Sequence, residues 1–363
     1  MRIQVIVGGQ AGSEGKGAVA GYLAAESQGP SCVRVAGPNA GHSVVNPLTG
    51  VKHALRTIPV GAVTNPDALL AIAAGSEIDI PVLLSEVQQL EADGLQIRHR
   101  LFIDPMATIL TDEHRAVEAD AGLVARIGST GKGIGAARAA RIMRTATLAR
   151  DHEKLLGEYS SVAHVAPLVQ ARGRDIQIEG TQGYLLSLHH RFYPQVTSSG
   201  TTALDFLAMA RLNPWVVPPE NLEIWVTYRP YPIRVAGESG PLTGETSWDA
   251  LGLEPELTTV TKKVRRVGIW DGVLAAEAAH ANRGSLLGGW KSTGPKVDPV
   301  RYALTMADQI DPALAGTTDR EKLLDSEPYQ AFLHQFVRDL GGTPHIVTTS
   351  DRTYLRPRGD DDL

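Results

Sequence analysis

Short runs of apolar, often β-branched residues recur along the chain, and most lead into a loop and then a stretch with helical periodicity. Residues 2–7 end in glycines and precede an alanine-rich segment at 17–26, which predicts a strand, a loop and a helix. Similar runs predict further strands at 32–36, 69–74, 101–103, 175–178, 222–227, 302–306 and 345–348. The remaining patterns predict helices at 83–92, 111–125, 202–211, 273–281 and 320–339.

The alternation of strands and helices predicts an α/β fold with a mainly parallel central sheet covered by helices. Residues 213–221 (NPWVVPPEN) are the best candidate for a linker, yet strands of the same character lie on both sides of them. We therefore predict a single domain over residues 1–363, with a short polar tail at 358–363.

Composition narrows the classes of protein that fit. With 43% hydrophobic and 21% charged residues and a net charge of -5, the chain resembles a soluble globular protein without a broadly basic nucleic-acid-binding surface. The single Cys32 excludes an internal disulfide framework and fits a reducing cytosol. There is no signal-peptide pattern, and no apolar run approaches the roughly 20 residues that span a bilayer. We expect a cytoplasmic protein with neither a nucleic-acid nor a membrane partner.

The strongest local signal is the glycine loop, GGQAGSEGKG, at residues 8–17. Its glycines let backbone N–H groups approach a phosphate at a helix N-terminus, and Lys16 adds a point charge. It is not a Walker A loop, because Lys16 is followed by Gly17 instead of Ser or Thr. A glycine-rich turn without chemical importance is the alternative.

Two more loops carry polar groups that suit a ligand. Asn39 and His42 lie in PNAGHS, just after a predicted strand, where α/β enzymes gather binding groups, although a loop histidine is often merely solvated. Ser129 and Thr130 lie in a second glycine loop within residues 127–144, which can hold a phosphate or form a flexible turn before a basic helix.

Later segments add neutral and cationic groups. Gln182 in EGTQG and Thr197 in VTSSGTT suit a base edge or a phosphate, although Ser and Thr before a helix are also ordinary N-cap residues. In TTVTKKVRRVG, residues 258–268, four cationic side chains occupy five positions. Such a cluster fits a carboxylate-binding loop or a solvated basic face.

Taken in order, these segments resemble the signature segments of the adenylosuccinate synthetase family, and DRT at residues 351–353 extends the resemblance. In that family a nucleoside triphosphate phosphorylates O6 of a purine monophosphate, and the amino group of aspartate then displaces the phosphate. The resemblance implies that family's fold, related to the P-loop NTPases, together with Mg²⁺ and a homodimer.

Matching positions imply roles for individual residues. The resemblance places a catalytic set at Ser13, Lys16 and His42, with His42 as the acid that assists phosphoryl transfer, and metal contacts at Ser13 and Gly41. It implies nucleotide contacts from Gly12, Ser13, Glu14, Gly15, Lys16, Gly17, Asn39, Gly41, His42, Ser129, Thr130, Arg144, Gln182, Thr197 and Asp308. Arg144 matches an arginine that crosses the dimer interface. Aspartate would be bound by Thr261, Lys263 and Arg265, where Lys263 replaces an arginine and loses bidentate geometry.

The glycine loop also departs from the family pattern. The usual GDEGKG has an aspartate that removes the N1 proton of hypoxanthine, where this chain has Ser13, whose hydroxyl cannot be a comparable base. A dead enzyme would not need the retained Lys16, His42 and Gln182, so a different purine is the better interpretation. Guanine carries a 2-amino group beside N1, and a small hydroxyl frees space for it. Serine here also resembles a viral branch that joins aspartate to dGMP for 2-aminoadenine DNA, which would place the protein in a host cytoplasm.

The segment expected to contact the phosphate donor differs as well. Ordinary members recognise GTP with a TKLD-like segment and an STGPDR-like turn, where this chain has TMAD at 305–308 and TTSDR at 348–352. Asp308 can still bind a guanine edge, but the loss of its neighbours favours ATP or dATP. We therefore expect a ligase that joins L-aspartate to C6 of dGMP. The alternatives are ordinary synthesis from IMP and GTP, and a non-catalytic nucleotide-binding protein.

Overall fold

The computed structural model describes residues 1–35, 37–258, 262–283 and 298–357. Its strands are β1 Ile3–Gly8, β2 Ser31–Arg34, β3 His42–Val45, β4 Lys52–Leu55, β5 Leu69–Ile72, β6 Glu77–Ile78, β7 Leu101–Ile103, β8 Thr108–Ile109, β9 Ser161–Val162, β10 Ile176–Glu179, β11 Leu222–Tyr228, β12 Ile233–Arg234, β13 Arg266–Val267, β14 Val300–Leu304, β15 Ile346–Thr348 and β16 Tyr354–Leu355. Its helices are α1 Lys16–Glu26, α2 Gly61–Thr64, α3 Ile80–Ala92, α4 Asp112–Asp120, α5 Leu123–Ile127, α6 Ile134–Met143, α7 Glu153–Leu156, α8 Val165–Ala171, α9 Ala203–Ala210, α10 Gly272–Arg283, α11 Arg320–Asp325 and α12 Glu327–Leu340.

A ten-stranded sheet forms the centre of the molecule, in the order β16-β15-β14-β11-β1-β10-β2-β5-β7-β9. Its neighbouring strands pair in parallel, except that β16 runs antiparallel to β15. Strands such as β1 and β5 are buried along their whole length, which explains why their sequences are continuous apolar runs. The predicted mainly parallel sheet is confirmed.

Two apolar cores cover the two faces of this sheet because alternate residues of a strand point to opposite sides. On one face Val5 and Val7 pack with side chains of α9, α10 and α12. On the other face Ile6 packs with side chains of α1 and α3. The loops that follow β1, β2, β10, β11 and β14 therefore emerge together at the carboxyl edge of the sheet, where α/β proteins bind ligands.

Two segments that were each predicted as one helix form two helices instead. The segment predicted as one helix at 111–125 is divided into α4 and α5 at Gly122, whose φ of +62° is left-handed. The helix predicted at 320–339 breaks at Ser326, whose side chain accepts from the N–H of Tyr329 and starts α12. Thr202 likewise caps α9 by accepting from the N–H of Asp205.

The candidate linker at 213–221 joins α9 to β11 inside the sheet architecture. The strands that flank it along the chain, β10 and β11, pair with the two sides of β1. The single domain remains a prediction, and its tail at 358–363 lies outside the described residues. Among the described residues, no helix combines the length and the apolar character that crossing a membrane requires.

Candidate active site

The glycine loop connects β1 to α1 through a series of left-handed backbone conformations. Gly12, Ser13 and Gly15 have φ values of +94°, +58° and +84°. Ser13 is the one of the three that carries a side chain, and a left-handed serine is uncommon because its Cβ crowds the backbone. The Ser13 side chain is exposed at this turn, so its hydroxyl can face a ligand.

Glu14 is the anion that organises this loop. Its Oε1 accepts from the backbone N–H groups of Gln10 at 3.1 Å and Gly12 at 2.8 Å. Its Oε2 accepts from Nζ of Lys16 at 2.5 Å, and both side chains are almost completely buried. The amides and the lysine that the sequence assigns to a phosphate therefore already hold a carboxylate, and a phosphate must displace Glu14 to use them.

The segment after β10 packs directly on the glycine loop. A Cβ at Gly183 would lie 2.3 Å from Oε1 of Glu14, so only glycine permits this approach. The N–H of Leu185 donates to the carbonyl of Gln10 at 3.0 Å. This packing brings Gln182, which directly precedes Gly183, beside the loop that holds Ser13.

His42 begins β3 and lies against the first turn of α1. A Cβ at Gly17 would lie 2.9 Å from the Cβ of His42, so the glycine allows the close contact. Nδ1 of His42 is 2.5 Å from Oε1 of Glu179, the last residue of β10. Nη1 of Arg34, from the end of β2, contacts the same two atoms and ion-pairs with Glu179. His42 is thus oriented by a fully buried arginine–glutamate pair.

This environment controls the protonation of His42. Burial, and then the positive charge of Arg34, lower the pKa of His42 to about 4, although Glu179 opposes the shift. Burial raises the pKa of Glu179, but Arg34 and His42 outweigh it and keep that carboxyl below its ordinary range. His42 is therefore neutral near pH 7 in the free protein.

The second glycine loop is ordered by another buried carboxylate. Glu118 of α4 accepts from the N–H groups of Gly133 at 2.9 Å and Gly135 at 3.0 Å, at the N-terminus of α6. Oγ of Ser129 accepts from the N–H of Gly131 at 3.2 Å. Because Glu118 takes two amides at the helix start, a phosphate here must be met mainly by the loop around Ser129 and Thr130.

Residues from two other segments lie beside this second loop. A Cβ at Gly135 would lie 3.4 Å from Oγ of Ser198, which follows Thr197. A Cβ at Gly37 would lie 2.8 Å from Cδ1 of Ile134 in α6 and 3.1 Å from Oδ1 of Asn39. The structure therefore brings Asn39, Ser129, Thr130 and Thr197 into one region.

In the described part of the cationic segment, Thr258 pairs with Lys263. Thr258 donates its N–H to the carbonyl of Lys263 at 2.8 Å, and its Oγ1 accepts from the N–H of Lys263 at 3.0 Å. Burial lowers the pKa of Arg265, and Glu256 partly offsets that shift. The exposed Lys263 and the partly buried Arg265 thus differ in environment. Thr261, predicted to bind aspartate, lies outside the described residues.

The predicted donor segment contacts the glycine loop through Thr305. Its Oγ1 donates to the carbonyl of Glu14 at 2.6 Å. Asp308 lies in the turn that follows, and burial raises the pKa of its carboxyl. Its Oδ1 is buried and makes no hydrogen bond within the described part of the chain, so it is suited to a ligand donor.

Arg144 lies apart from these groups. It is an exposed residue at the C-terminal end of α6, with a left-handed φ of +65°, and its guanidinium donates to the carbonyl of Ile142 at 3.1 Å. Its neighbours Ile142 and Met143 are 72% and 71% exposed.

The oxygen groups predicted to contact Mg²⁺ are neutral. Among the described residues, no group of three or more His, Cys, Asp or Glu side chains is placed to hold a metal ion. Mg²⁺ bound to a triphosphate nonetheless keeps waters and phosphate oxygens, and it needs few protein ligands. Two hard oxygen donors are suited to supply those few protein ligands. They are the exposed hydroxyl of Ser13 and the backbone carbonyl of Gly41, next to His42.

Five charged residues around the site were not predicted from the sequence. Arg34, Glu179, Arg229 and Glu256 each contact a predicted site residue, whereas Glu118 accepts from two amides of the second glycine loop. A signal was present for Arg34 and Glu179, because a charged residue at the end of an apolar strand must be paired when it is buried. The spacing of Glu118 and Glu256 carries no comparable signal.

With this geometry defined, the chain can be compared with known proteins. The model of the adenylosuccinate synthetase family matches residues 5–156 and 146–287. The adenylosuccinate synthetase of Methanocaldococcus jannaschii is 35% identical over 352 residues, which cover 95% of this chain and 93% of that relative. The adenylosuccinate synthetase of Pyrococcus horikoshii is 36% identical over 324 residues, 88% of each chain.

Two solved structures share the fold. Succinoaminodeoxyadenylate synthetase of cyanophage S-2L, bound to dGMP and to dATP as an energy donor, has a TM-score of 0.78 and 28% identity and covers 99% of this chain and 96% of its own. Fully ligated adenylosuccinate synthetase of Plasmodium falciparum has a TM-score of 0.77 at 17% identity, with coverage of 99% and 100%. The two relatives named here are archaeal enzymes, whereas one structural neighbour is a phage enzyme bound to dGMP.

Proposed function

The chain belongs to the adenylosuccinate synthetase family, and we propose that within it this protein joins L-aspartate to C6 of dGMP at the expense of ATP or dATP. The product would be 2-amino-2′-deoxy-N6-succinoadenylate, a precursor of 2-aminoadenine in DNA. The family assignment makes the protein a ligase that binds purine nucleotides and forms a C–N bond. The choice of purine and of donor is the proposal.

The observation that carries the proposal is the exposed Ser13 on the glycine loop, beside the segment of Gln182. A serine hydroxyl cannot remove a proton at neutral pH as a carboxylate does. It is shorter than aspartate and accepts or donates one hydrogen bond, which suits a purine with an amino group next to N1. The phage neighbour bound to dGMP supports this interpretation.

Phosphoryl transfer to O6 would use the groups around α1. Lys16 would leave Glu14 for the triphosphate, because phosphate offers more negative charge than one carboxylate. The added charge would raise the pKa of His42 toward neutrality, so that His42 becomes an acid only when the donor is bound. Glu179 would keep the ring oriented. Bound Mg²⁺, contacted by Ser13 and Gly41, would neutralise charge on the triphosphate.

The second glycine loop and the cationic segment would hold the other two substrates. Asn39, Ser129 and Thr130 would contact the monophosphate, with Gln182 and Thr197 toward the base. Lys263 and Arg265 would bind the carboxylates of aspartate. Asp308 would contact the base of the donor, where the dATP in the phage neighbour favours an adenine nucleotide.

A homodimer would complete the site. Arg144 is exposed at the end of α6 beside two exposed apolar side chains, Ile142 and Met143. Such a surface on a globular chain is typical of a protein interface. Arg144 would reach the monophosphate held by the second subunit.

The first test is whether phosphate release depends on aspartate when dGMP and ATP or dATP are supplied. A non-catalytic nucleotide-binding protein would bind nucleotides without that release. The second test compares dGMP with IMP at equal aspartate. We expect faster turnover of dGMP than of IMP, and the reverse order would contradict the proposal.

The second candidate function is ordinary adenylosuccinate synthesis from IMP. The observation that favours it is the 35% identity to archaeal adenylosuccinate synthetases over nearly the whole chain. The same comparison of purines separates the two candidates, and an exchange of ATP for GTP in it identifies the donor.

A further inference from the structure

One half-buried carboxylate, Glu256, connects three of the segments that the proposed function assigns to different ligands. Its two oxygens accept from both terminal nitrogens of Arg229, with 3.1 Å from Nη1 to Oε2. Its Oε1 also accepts from Nε2 of Gln309, the residue after Asp308, at 3.0 Å. Its backbone carbonyl accepts from the N–H of Arg265 at 2.9 Å.

Arg229 extends this connection to the glycine loop. It follows β11 directly, and its side chain is fully buried. Its backbone N–H donates to Oε1 of Gln10 at 3.1 Å, and its carbonyl accepts from Nε2 of Gln10 at 2.9 Å. Its Nη1 donates to the carbonyl of Ser13 at 3.3 Å. Residues 10 and 13 are therefore both fixed from the end of one central strand.

The contact to Ser13 controls a peptide that the loop alone would not hold. Ser13 has a left-handed φ of +58°, a conformation that persists for a side-chain-bearing residue only when surrounding contacts enforce it. A group that fixes the Ser13 carbonyl holds the adjoining peptide plane and with it the direction of the Cα–Cβ bond. The hydroxyl is then limited to the few staggered positions around that bond.

Charge supports the stability of this arrangement. Burial raises the pKa of Glu256, but Arg229, Gln309 and Arg265 outweigh it and hold that carboxyl below its ordinary range. Glu256 is therefore the anion between two cations, the buried Arg229 and the partly buried Arg265. Loss of the geometry at one cation must disturb the other, because both depend on the same carboxylate.

We propose that Arg229 is a positioning residue for purine choice, which orients Ser13 through its carbonyl and, through Glu256, couples that orientation to the aspartate-binding segment. The inference rests on the proposed function, because it takes Ser13 as the residue that faces the purine. It adds a residue that touches no substrate and a link between purine selection and aspartate binding.

The test is Arg229→Lys, which keeps the charge but has one nitrogen in place of the planar fork that serves Glu256 and Ser13 together. The ratio of kcat/KM for dGMP over IMP and the KM for aspartate are measured. We expect the dGMP-to-IMP ratio of kcat/KM to change about tenfold, toward equal use of the two purines. The KM for aspartate should rise by a similar factor, because neighbouring residues that share contacts are energetically coupled.

Arg100→Lys is the matched control. Arg100 is also buried, and its guanidinium donates to the carbonyls of Ala62, Asn65, Ala68 and Gln96, in a part of the chain that holds none of the predicted site residues. Loss of its fork lowers thermal stability without moving either the purine ratio or the aspartate KM. A general packing defect would move both variants alike.

If Arg229→Lys does not fold, Gln309→Met is used to test the positioning role of Arg229. It removes one contact of Arg229 and one of Glu256 but keeps the ion pair, and we expect smaller shifts in the same directions. A folded variant with the wild-type purine ratio and aspartate KM overturns the inference. The wild-type preference between dGMP and IMP tests the proposed function separately, because the shift caused by Arg229→Lys is measured from whichever ratio the wild type has.

Discussion

At the scale of single residues, Ser13 combines an unusual backbone with an unusual side chain. Its left-handed φ of +58° lies in a region that Asn and Asp adopt several-fold more often than other side-chain-bearing residues. The aspartate usual in the family therefore suits this turn better than serine does. Serine nevertheless occupies this left-handed position, which favours a role for its short hydroxyl at the ligand.

Replacement of this serine tests its part in purine choice. Ser13→Asp restores a carboxylate that can accept the N1 proton of hypoxanthine, and it fits the left-handed turn. We expect the ratio of kcat/KM for IMP over dGMP to rise by at least about tenfold, since general-base catalysis contributes a factor of this order or more. Steady-state kinetics with both purines measure it.

Ser13→Asn is the matched control for that experiment. Asparagine has the shape and the backbone preference of aspartate but no basic carboxylate. It should lower turnover of dGMP through its size without gaining turnover of IMP. An equal gain in both variants would mean that shape, not proton removal, sets the preference.

His42 gives a pH-dependent prediction. Its pKa is lowered from 6.5 to about 4 by burial and by Arg34, so the unfolded chain takes up a proton between these values that the folded chain does not. The contribution of His42 to stability therefore falls as pH drops from 6.5 toward 4, and it is constant above 6.5. NMR titration, with the signal assigned by its loss in His42→Gln, should show a midpoint of about 4 in the free protein.

Addition of a non-hydrolysable triphosphate should raise that midpoint, because the phosphates favour the charged imidazolium. The variant Glu179→Gln should lower it in the free protein, because Glu179 is the group that raises the pKa of His42. A midpoint near the ordinary 6.5 in the free protein would contradict the geometry around Arg34.

At the scale of elements, the start of α6 depends on one side chain of α4. Glu118 accepts from the N–H groups of Gly133 and Gly135, which have no carbonyl partner in the preceding helical turn. It links α4 to the second glycine loop, so the order of that loop depends on packing between two helices.

Removal of this carboxylate should therefore affect both stability and binding. Glu118→Ala leaves two amide groups at a buried helix end without an acceptor, and we expect a loss of about 1–3 kcal/mol in the free energy of unfolding. Urea unfolding measures it, and the KM for the purine monophosphate should rise because Ser129 and Thr130 lose their support.

Two comparisons separate this effect from a general change in α4. Glu118→Gln keeps an oxygen for one of the amides and should lie between the wild type and Glu118→Ala. Asp120→Ala, at an exposed position of the same helix, should change neither stability nor KM appreciably. Similar losses in Glu118→Ala and Asp120→Ala would exclude the capping role.

The same elements show how far sequence patterns reach. Strand positions such as 101–103 were predictable because a buried parallel strand is a continuous apolar run bounded by polar residues. The break of the predicted helix at 111–125 was not, because the helical pattern continues through Gly122, and glycine is tolerated inside helices. The roles of Glu118 and Glu256 were also beyond prediction, since their partners lie in other elements of the fold and follow no helical or strand spacing.

At the scale of the whole molecule, the sheet explains why segments far apart in sequence form one site. The loops after β1, β2, β10, β11 and β14 meet at the carboxyl edge of the sheet. The motifs around Ser13, His42, Gln182 and Asp308 therefore lie at one edge of the sheet, and their assignment to one site remains a prediction. Arg144 is the exception, because α6 carries it on an exposed surface, and a role in catalysis then requires a second copy of the chain.

That requirement can be tested by combining two inactive variants. Lys16→Gln disables the triphosphate loop of its own subunit, whereas Arg144→Ala disables the site of the subunit that it reaches. Heterodimers purified through two different tags then contain one intact site of two, and they should recover about half of the wild-type activity. Heterodimers of Lys16→Gln and His42→Asn should recover no activity, because each subunit supplies both Lys16 and His42 to its own site. One site of the heterodimer then lacks Lys16 and the other lacks His42. If the heterodimer of Lys16→Gln and Arg144→Ala is as inactive as its parents, Arg144 does not act across an interface, and the exposed apolar residues beside it need another explanation.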